Sequence, residues 1–151
     1  MRSQLPPQAE EILNRRFHRD ALIALATAAD GAPHVRAVNA FYEDGAFYVI
    51  THAQSAKMAQ IARNPAVAVC GEWFTAHGAA DSLGWVGAPD NAALAAKLRA
   101  AFASWLGNGH VDLADQDTCI LRIRLTGGVL MADGRRWVLT FSSDGREEEL
   151  S

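Results

Sequence analysis

The chain has 151 residues, half of them hydrophobic and 21% charged, with a formal net charge of −3. These proportions fit one globular domain, 1–151, and exclude a disordered, collagenous or strongly basic nucleic-acid-binding chain. A domain of this length buries roughly 70% of the surface its unfolded chain exposes, so it holds a core without disulfides or a structural metal.

Pro6 and Pro7, then Glu10 and Glu11, then Arg15 and Arg16 set helix-starting prolines and acids ahead of bases, as the helix dipole favours, and predict a helix over 7–17. This N-terminus is too charged for a signal-peptide core, and no apolar run approaches the roughly 20 residues that cross a bilayer. The expected location is therefore the cytoplasm, without membrane contact. The runs 21–27, 34–43 and 46–51 are three strands of a meander, separated by the turn residues Asp30–Gly31 and Asp44–Gly45.

Residues 54–63 lack β-branched residues apart from Ile61 and stop at Asn64–Pro65, which predicts a short helix. Strand character returns over 66–80, with a bend expected near Gly71. Asp90 is placed to cap a further helix in which Leu94, Leu98, Phe102 and Trp105 share a stripe and Gly107 ends the run. After an acidic loop over 111–117, Cys119, Leu121, Ile123 and Leu125 alternate with Arg122 and Arg124, the pattern of a half-buried strand. Gly127–Gly128 and Asp133–Gly134 are read as turns, the second leading into a strand over 136–141, and 142–151 as a solvated tail. Cys70 and Cys119 have no CxxC spacing and are read as reduced core thiols. Six or seven strands with three helices predict a mainly β fold, a small antiparallel barrel with helices packed outside it.

If Asp44 and Gly45 are the central residues of a hairpin turn, opposed residue numbers sum to 89, which sets Arg36 against Ala53 and Val38 against Thr51. The segment from Thr51 through Ser55 to Lys57 leads into the first turn of a helix, where unpaired backbone N–H groups and the positive dipole end favour an anion. Guanidinium, ammonium and hydroxyl donors gathered there suit a phosphate monoester. The competing reading is an ordinary strand arginine and a serine that caps its helix.

The block 21–69 carries the order L-A-T, D-G-x-P-H-V-R, D-G, a strand ending in Thr, S-x-K opening a helix, and N-P-x-V-x-V. In that order and spacing it resembles the FMN-binding split-barrel family typified by pyridoxamine 5′-phosphate oxidase, above all its short general-stress-protein-like members. The resemblance implies a six- to seven-stranded antiparallel split β-barrel and a homodimer with FMN in clefts between subunits. It assigns Arg36 and Lys57 to the FMN phosphate, with Ser55 and Thr51 beside them. Ala37, Val38, Asn39, Ile50 and His52 align with positions lining the ribityl chain and ring, and Trp73 falls near a position that approaches the flavin across the dimer interface. Many relatives have S-R-K where this chain has Ser55, Ala56 and Lys57, which removes one phosphate contact. The arginine-containing C-terminal segment that binds substrate phosphate in true pyridoxamine phosphate oxidases has no counterpart here, so vitamin B6 oxidation is not expected.

His18, His34, His52, His77 and His110 show no tight ligand spacing, and the carboxylates of 112–117 lack the glycine and terminal glutamate of an EF-hand loop, so no metal is expected. GxSxG, Walker and GxGxxG sequences are absent. The expected function is that of a flavin-dependent oxidoreductase acting on a small substrate. The alternatives are a flavin-binding stress or sensor module without turnover, or the same barrel holding F420, FAD or haem.

Overall fold

A computed structural model describes residues 5–141. Three of its four hairpin turns are Asp-Gly pairs, Asp30–Gly31, Asp44–Gly45 and Asp133–Gly134, with Asp φ of 54°, 49° and 53° and Gly φ of 81°, 85° and 74°. Two successive left-handed residues make the I′ turn, whose twist matches that of the strands it joins. The strands are β1 (Ala21–Ala29), β2 (Ala32–Glu43), β3 (Ala46–His52), β4 (Ala66–Gly71), β5 (Phe74–Trp85), β6 (Thr118–Ala132) and β7 (Arg135–Thr140). All pair antiparallel in the order β3-β2-β1-β4-β5-β6-β7, and an additional β3–β6 ladder closes the first six into a barrel.

The 15-residue β6 makes this closure. Its first half pairs with β3, from Thr118 opposite His52 to Arg124 opposite Ala46, and its second half pairs with β7, which lies outside the ring. Inward residues of alternating strands, among them Leu25, Val69, Phe74, Leu121, Ile123 and Leu125, fill the barrel. Helix α1 (Pro7–Phe17) closes one side: Phe17 packs edge-on against Phe47 at 5.6 Å, and the Tyr42 hydroxyl donates to Glu10 Oε1 at 2.8 Å. Helix α2 (Ala56–Arg63) joins β3 to β4 and lies against β1. Helices α3 (Ala92–Ala101) and α4 (Ala103–Leu106) pack on the outer face of β3 and β6, where Leu98, Phe102, Ile50 and Ile120 form a second core.

Four expectations are corrected. The stretch over 66–80 is not one bent strand, because the chain reverses at Glu72–Trp73 to make the β4–β5 hairpin. Gly127–Gly128 is not a turn, since β6 runs straight through it; an added Cβ at Gly128 would lie 2.7 Å from the Thr75 carbonyl oxygen, so glycine there serves close strand approach. Asp90 does not cap α3: it lies in a 3₁₀ turn over Pro89–Asn91, and Asn91 occupies the cap position while its side chain donates to the Leu83 and Trp85 carbonyls. Cys70 is exposed on the outer face of β4, its side chain turned outward by strand alternation, whereas Cys119 is buried; both are free thiols. The proposed tail over 142–151 lies outside the described residues.

Gly78 marks a register shift between β5 and β6, and a Cβ there would sit 2.0 Å from the Arg124 carbonyl oxygen, backbone that cannot yield without breaking the ladder. Gly78→Ala is expected to destabilise the fold by about 3 kcal/mol, the upper range for overpacking. Gly107→Ala, where an added Cβ meets nothing, is the control and should change stability by less than about 0.5 kcal/mol in urea unfolding.

Candidate functional site

Helix α2 begins where β3 ends. Ser55 occupies the cap position with extended backbone, φ −70° and ψ 159°, but its hydroxyl makes no capping bond. Ser55 Oγ is buried and has no hydrogen-bond partner. A buried hydroxyl left unsatisfied costs about 1–3 kcal/mol, so its retention at a helix start points to a ligand atom that completes it. Two residues on, Lys57 Nζ donates to Thr51 Oγ1 at 2.6 Å, which leaves two of its three protons for other acceptors.

Arg36 reaches the same place by a different route from the one the pairing rule predicts. The register is right, with Tyr42 opposite Phe47, but the β2–β3 ladder stops after Phe41 opposite Tyr48. β3 pairs with β6 along its whole length on its other edge, and from Ala40 back to Ala32 β2 pairs with β1, so Arg36 lies opposite Leu25 and not opposite Ala53. Its guanidinium donates from Nη1 to Thr27 Oγ1 at 2.8 Å and to the Leu25 carbonyl at 3.3 Å, and from Nη2 to Gln60 Oε1 at 2.8 Å. Gln60 lies three residues after Lys57, on the same face of α2, and so ties the arginine to the lysine.

Neither cation has a carboxylate partner among the described residues; the ion pairs there join other groups. Burial, and then the neighbouring Arg36 charge, pull the Lys57 ammonium below its ordinary pKa, and burial alone does the same to Arg36. A base whose folded pKa lies below its unfolded value weakens the fold while protonated, a cost removed as pH rises past the unfolded value or as an anion neutralises it. The arrangement is thus two cations without an acid partner among the described residues, the lysine half-buried, at a helix start whose cap hydroxyl is unsatisfied.

The other expected site residues divide. Thr51 joins the cluster through Lys57. Val38 points into the barrel core and Ile50 into the second core. Ala37 is exposed on the outer sheet face, and Asn39 donates to Asp20 Oδ1 at 3.0 Å, away from α2. Trp73 lies in the β4–β5 turn, four residues beyond Val69, and Val69 is itself two strands from Arg36 through Leu25, so Trp73 is apart from the cluster within one chain. Sequence reasoning missed Thr27 and Gln60. The available signals were a threonine at a core position of β1, buried to 3% exposure, and a glutamine in the same helical row as Lys57.

His52, next to Thr51, points to the opposite face and meets the acidic loop, with Nε2 3.5 Å from Asp115 Oδ2. His52, Asp115 and Asp117 bring three potential ligand atoms within 4.8 Å of one another. His52 Nδ1, however, accepts the Gln54 backbone N–H at 3.2 Å, which in the neutral ring leaves the proton on Nε2, facing the carboxylates as a donor.

Ser55→Ala separates a cap from a ligand-binding hydroxyl. Loss of a cap would cost about 1 kcal/mol. With the hydroxyl orphaned, the ligand-free variant is instead expected to match wild type or gain up to about 1 kcal/mol in thermal unfolding.

Comparison with known proteins gives the context of this cluster. A family model described as pyridoxamine 5′-phosphate oxidase matches residues 5–131. A search of curated proteins returns no match. Among solved structures, general stress protein 26 from Bacillus anthracis superposes with a TM-score of 0.69 at 20% identity, over 87% of this chain and 99% of that one. An F420 reductase does so with a TM-score of 0.61 at 22% identity, over 76% and 94%. A FAD-binding protein from Mesorhizobium loti gives 0.57 at 18% identity, over 85% and 96%. These likenesses show a shared barrel, and the model that spans most of the sequence shows more: the chain belongs to the pyridoxamine 5′-phosphate oxidase family.

Proposed function

We propose that the protein binds FMN through its phosphate and acts as a flavin-dependent oxidoreductase on a small substrate. The observation that carries this reading is the pairing of Arg36 and Lys57, cations without an acid partner, with the orphaned Ser55 hydroxyl at the start of α2. A nucleotide phosphate at that point accepts from all three and from the first-turn amides of the helix. Flavin, when bound, supplies hydride or electron transfer. The chain's own residues hold the phosphate and orient the ring, and the cluster contains no carboxylate or histidine placed for acid–base work. The named ligands of three neighbours, F420, FAD and haem, keep those groups as competing occupants of the same barrel.

The reading includes a homodimer. The outer sheet face carries a row of opposed residues across six strands, Ala37, Ala24, Cys70, Thr75, Val129 and Val138, none of them charged, with Arg136 at its margin two residues before Val138. Val138 is 70% exposed on it, and Val35 and Leu22 are similarly open. A continuous apolar face of this kind is the usual mark of an interaction surface. Arg36 lies between Val35 and Ala37 in β2 but turns to the opposite side, beside Thr27, so the thickness of one strand separates the phosphate cluster from this face. The same reading places Trp73 near the partner's cofactor, and locates the protein in the cytoplasm; no described helix is long and apolar enough to cross a membrane.

Arg36→Ala and Lys57→Ala are each expected to weaken FMN by about 1.5–3 kcal/mol, the scale of a hydrogen bond to a charged group, in a flavin-fluorescence titration. Equal affinity in wild type and both variants would remove the phosphate assignment. Ala56→Arg should tighten binding by supplying a further cation. The visible absorption of the purified protein distinguishes flavin from haem, and anaerobic reduction followed by acceptor screening distinguishes an oxidoreductase from a binding module, which would reoxidise no faster than free FMN. In sedimentation equilibrium wild type is expected to be dimeric, and Val35→Glu to shift it toward monomer with loss of FMN affinity.

A further inference from the structure

Gln60 sits three residues after Lys57 in α2, and its carboxamide meets β1 and β2 at once. Oε1 accepts from Arg36 Nη2 at 2.8 Å and from the Thr27 hydroxyl at 2.6 Å. Arginine only donates, so the amide atom beside it is the oxygen, and this contact fixes which way the carboxamide is turned. Thr27, buried in β1, in turn accepts from Arg36 Nη1 at 2.8 Å. Three side chains from two strands and a helix thus close a triangle whose members other than the arginine are neutral.

Donor protons remain after these bonds are made. Arg36 Nη1 uses both of its protons, on Thr27 and on the Leu25 carbonyl, and Nη2 uses one on Gln60, which leaves the second Nη2 proton and that of Nε. The two Nε2 protons of Gln60 have no partner among the described residues. Amide bond lengths set Nε2 about 2.3 Å from Oε1, and therefore within about 5 Å of Arg36 Nη2, a separation that one phosphate group can bridge. The Lys57 ammonium, in the same helical row, keeps two protons of its own, and burial and then the Arg36 charge lower its pKa, so the two cations lie within each other's field.

We infer that Gln60 is a further residue of the phosphate site, its oxygen positioning the Arg36 guanidinium and its NH2 group donating to the bound anion. This role rests on the phosphate reading above and accounts for a neutral amide at this position. A glutamate of the same length would accept from Arg36 and Thr27 equally well, and its bond to the arginine would be the stronger one. It would also cancel one cation and set an oxygen where the amide now donates, so an incoming phosphate would meet repulsion. The carboxamide supports the arginine without neutralising it and adds a donor.

Fluorescence titration of the full chain with FMN, and with riboflavin as the probe that lacks the phosphate, tests this role. Wild type is expected to bind FMN at least a hundredfold more tightly than riboflavin. Gln60→Glu should weaken FMN at least fiftyfold and leave riboflavin within twofold of wild type. Its ligand-free melting temperature should equal wild type or exceed it, because the new carboxylate pairs with Arg36. Gln60→Met, similar in length but neutral and without a donor, should weaken FMN about tenfold and keep the wild-type dependence of binding on salt, which Gln60→Glu flattens. A residue that only supported the fold would lower the melting temperature in both variants and weaken FMN and riboflavin alike. That result, or FMN bound by Gln60→Glu as tightly as by wild type, would overturn the role of Gln60 and leave the assignment of Arg36 and Lys57 in place. Wild type with no preference for FMN over riboflavin would remove the phosphate reading itself, and the role of Gln60 with it.

Discussion

Two positive side chains left without a negative one set the terms for this molecule. Arg36 comes from a strand and Lys57 from a helix, and the fold brings them within each other's field where burial already disfavours both charges. A structure selected for stability alone would place an aspartate between them or remove one. Here Gln60 and Thr27 take that position instead, both neutral, and they orient the guanidinium without cancelling its charge. The result is a cluster that carries an electrostatic cost of its own, and an anion bound there, as proposed above, would couple ligand binding to stability through the same two groups.

The barrel is what holds this unfavourable pair in place. β2 leaves β3 after three opposed pairs and follows β1 for nine, while β3 closes on β6. Helix α2 packs against β1 and β5 next to that divergence, and its Gln60 accepts from Arg36 there. Had the β2–β3 ladder continued, Arg36 would face Ala53 and not lie opposite Leu25, within reach of Thr27 and Gln60. Closure by the long β6 therefore positions the site as directly as the residues that line it.

The parts of this architecture that depend on neighbours in sequence were legible in advance. Helix α1, strands β1 to β3 and the Asp-Gly turns follow from proline, charge order and left-handed pairs, all local signals. Non-local features were not. Gly127–Gly128 reads as a turn because a glycine pair usually is one, and only the approach of β5 explains its place inside a strand. Glu72–Trp73 carries no turn residue at all, so the β4–β5 hairpin was hidden from a local reading. Arg36 and Lys57 were found through the local motif and the family likeness, whereas Thr27 and Gln60, which hold the arginine, belong to elements that only the fold brings together.

The two unusual features of the chain lie toward opposite ends of β4. Near its start is the cation pair under α2, and past its end is the turn in which Trp73 holds a left-handed φ of 49°. The six residues of β4 run between them. The outer sheet face between them carries an uncharged row from Ala37 to Val138. In a two-fold pairing through that face each subunit's contacts are repeated by its partner, so both sites of a dimer are completed together or neither is. A substitution on the face would then act on cofactor affinity without touching any residue that contacts the cofactor, which separates an interface effect from a loss of phosphate ligands.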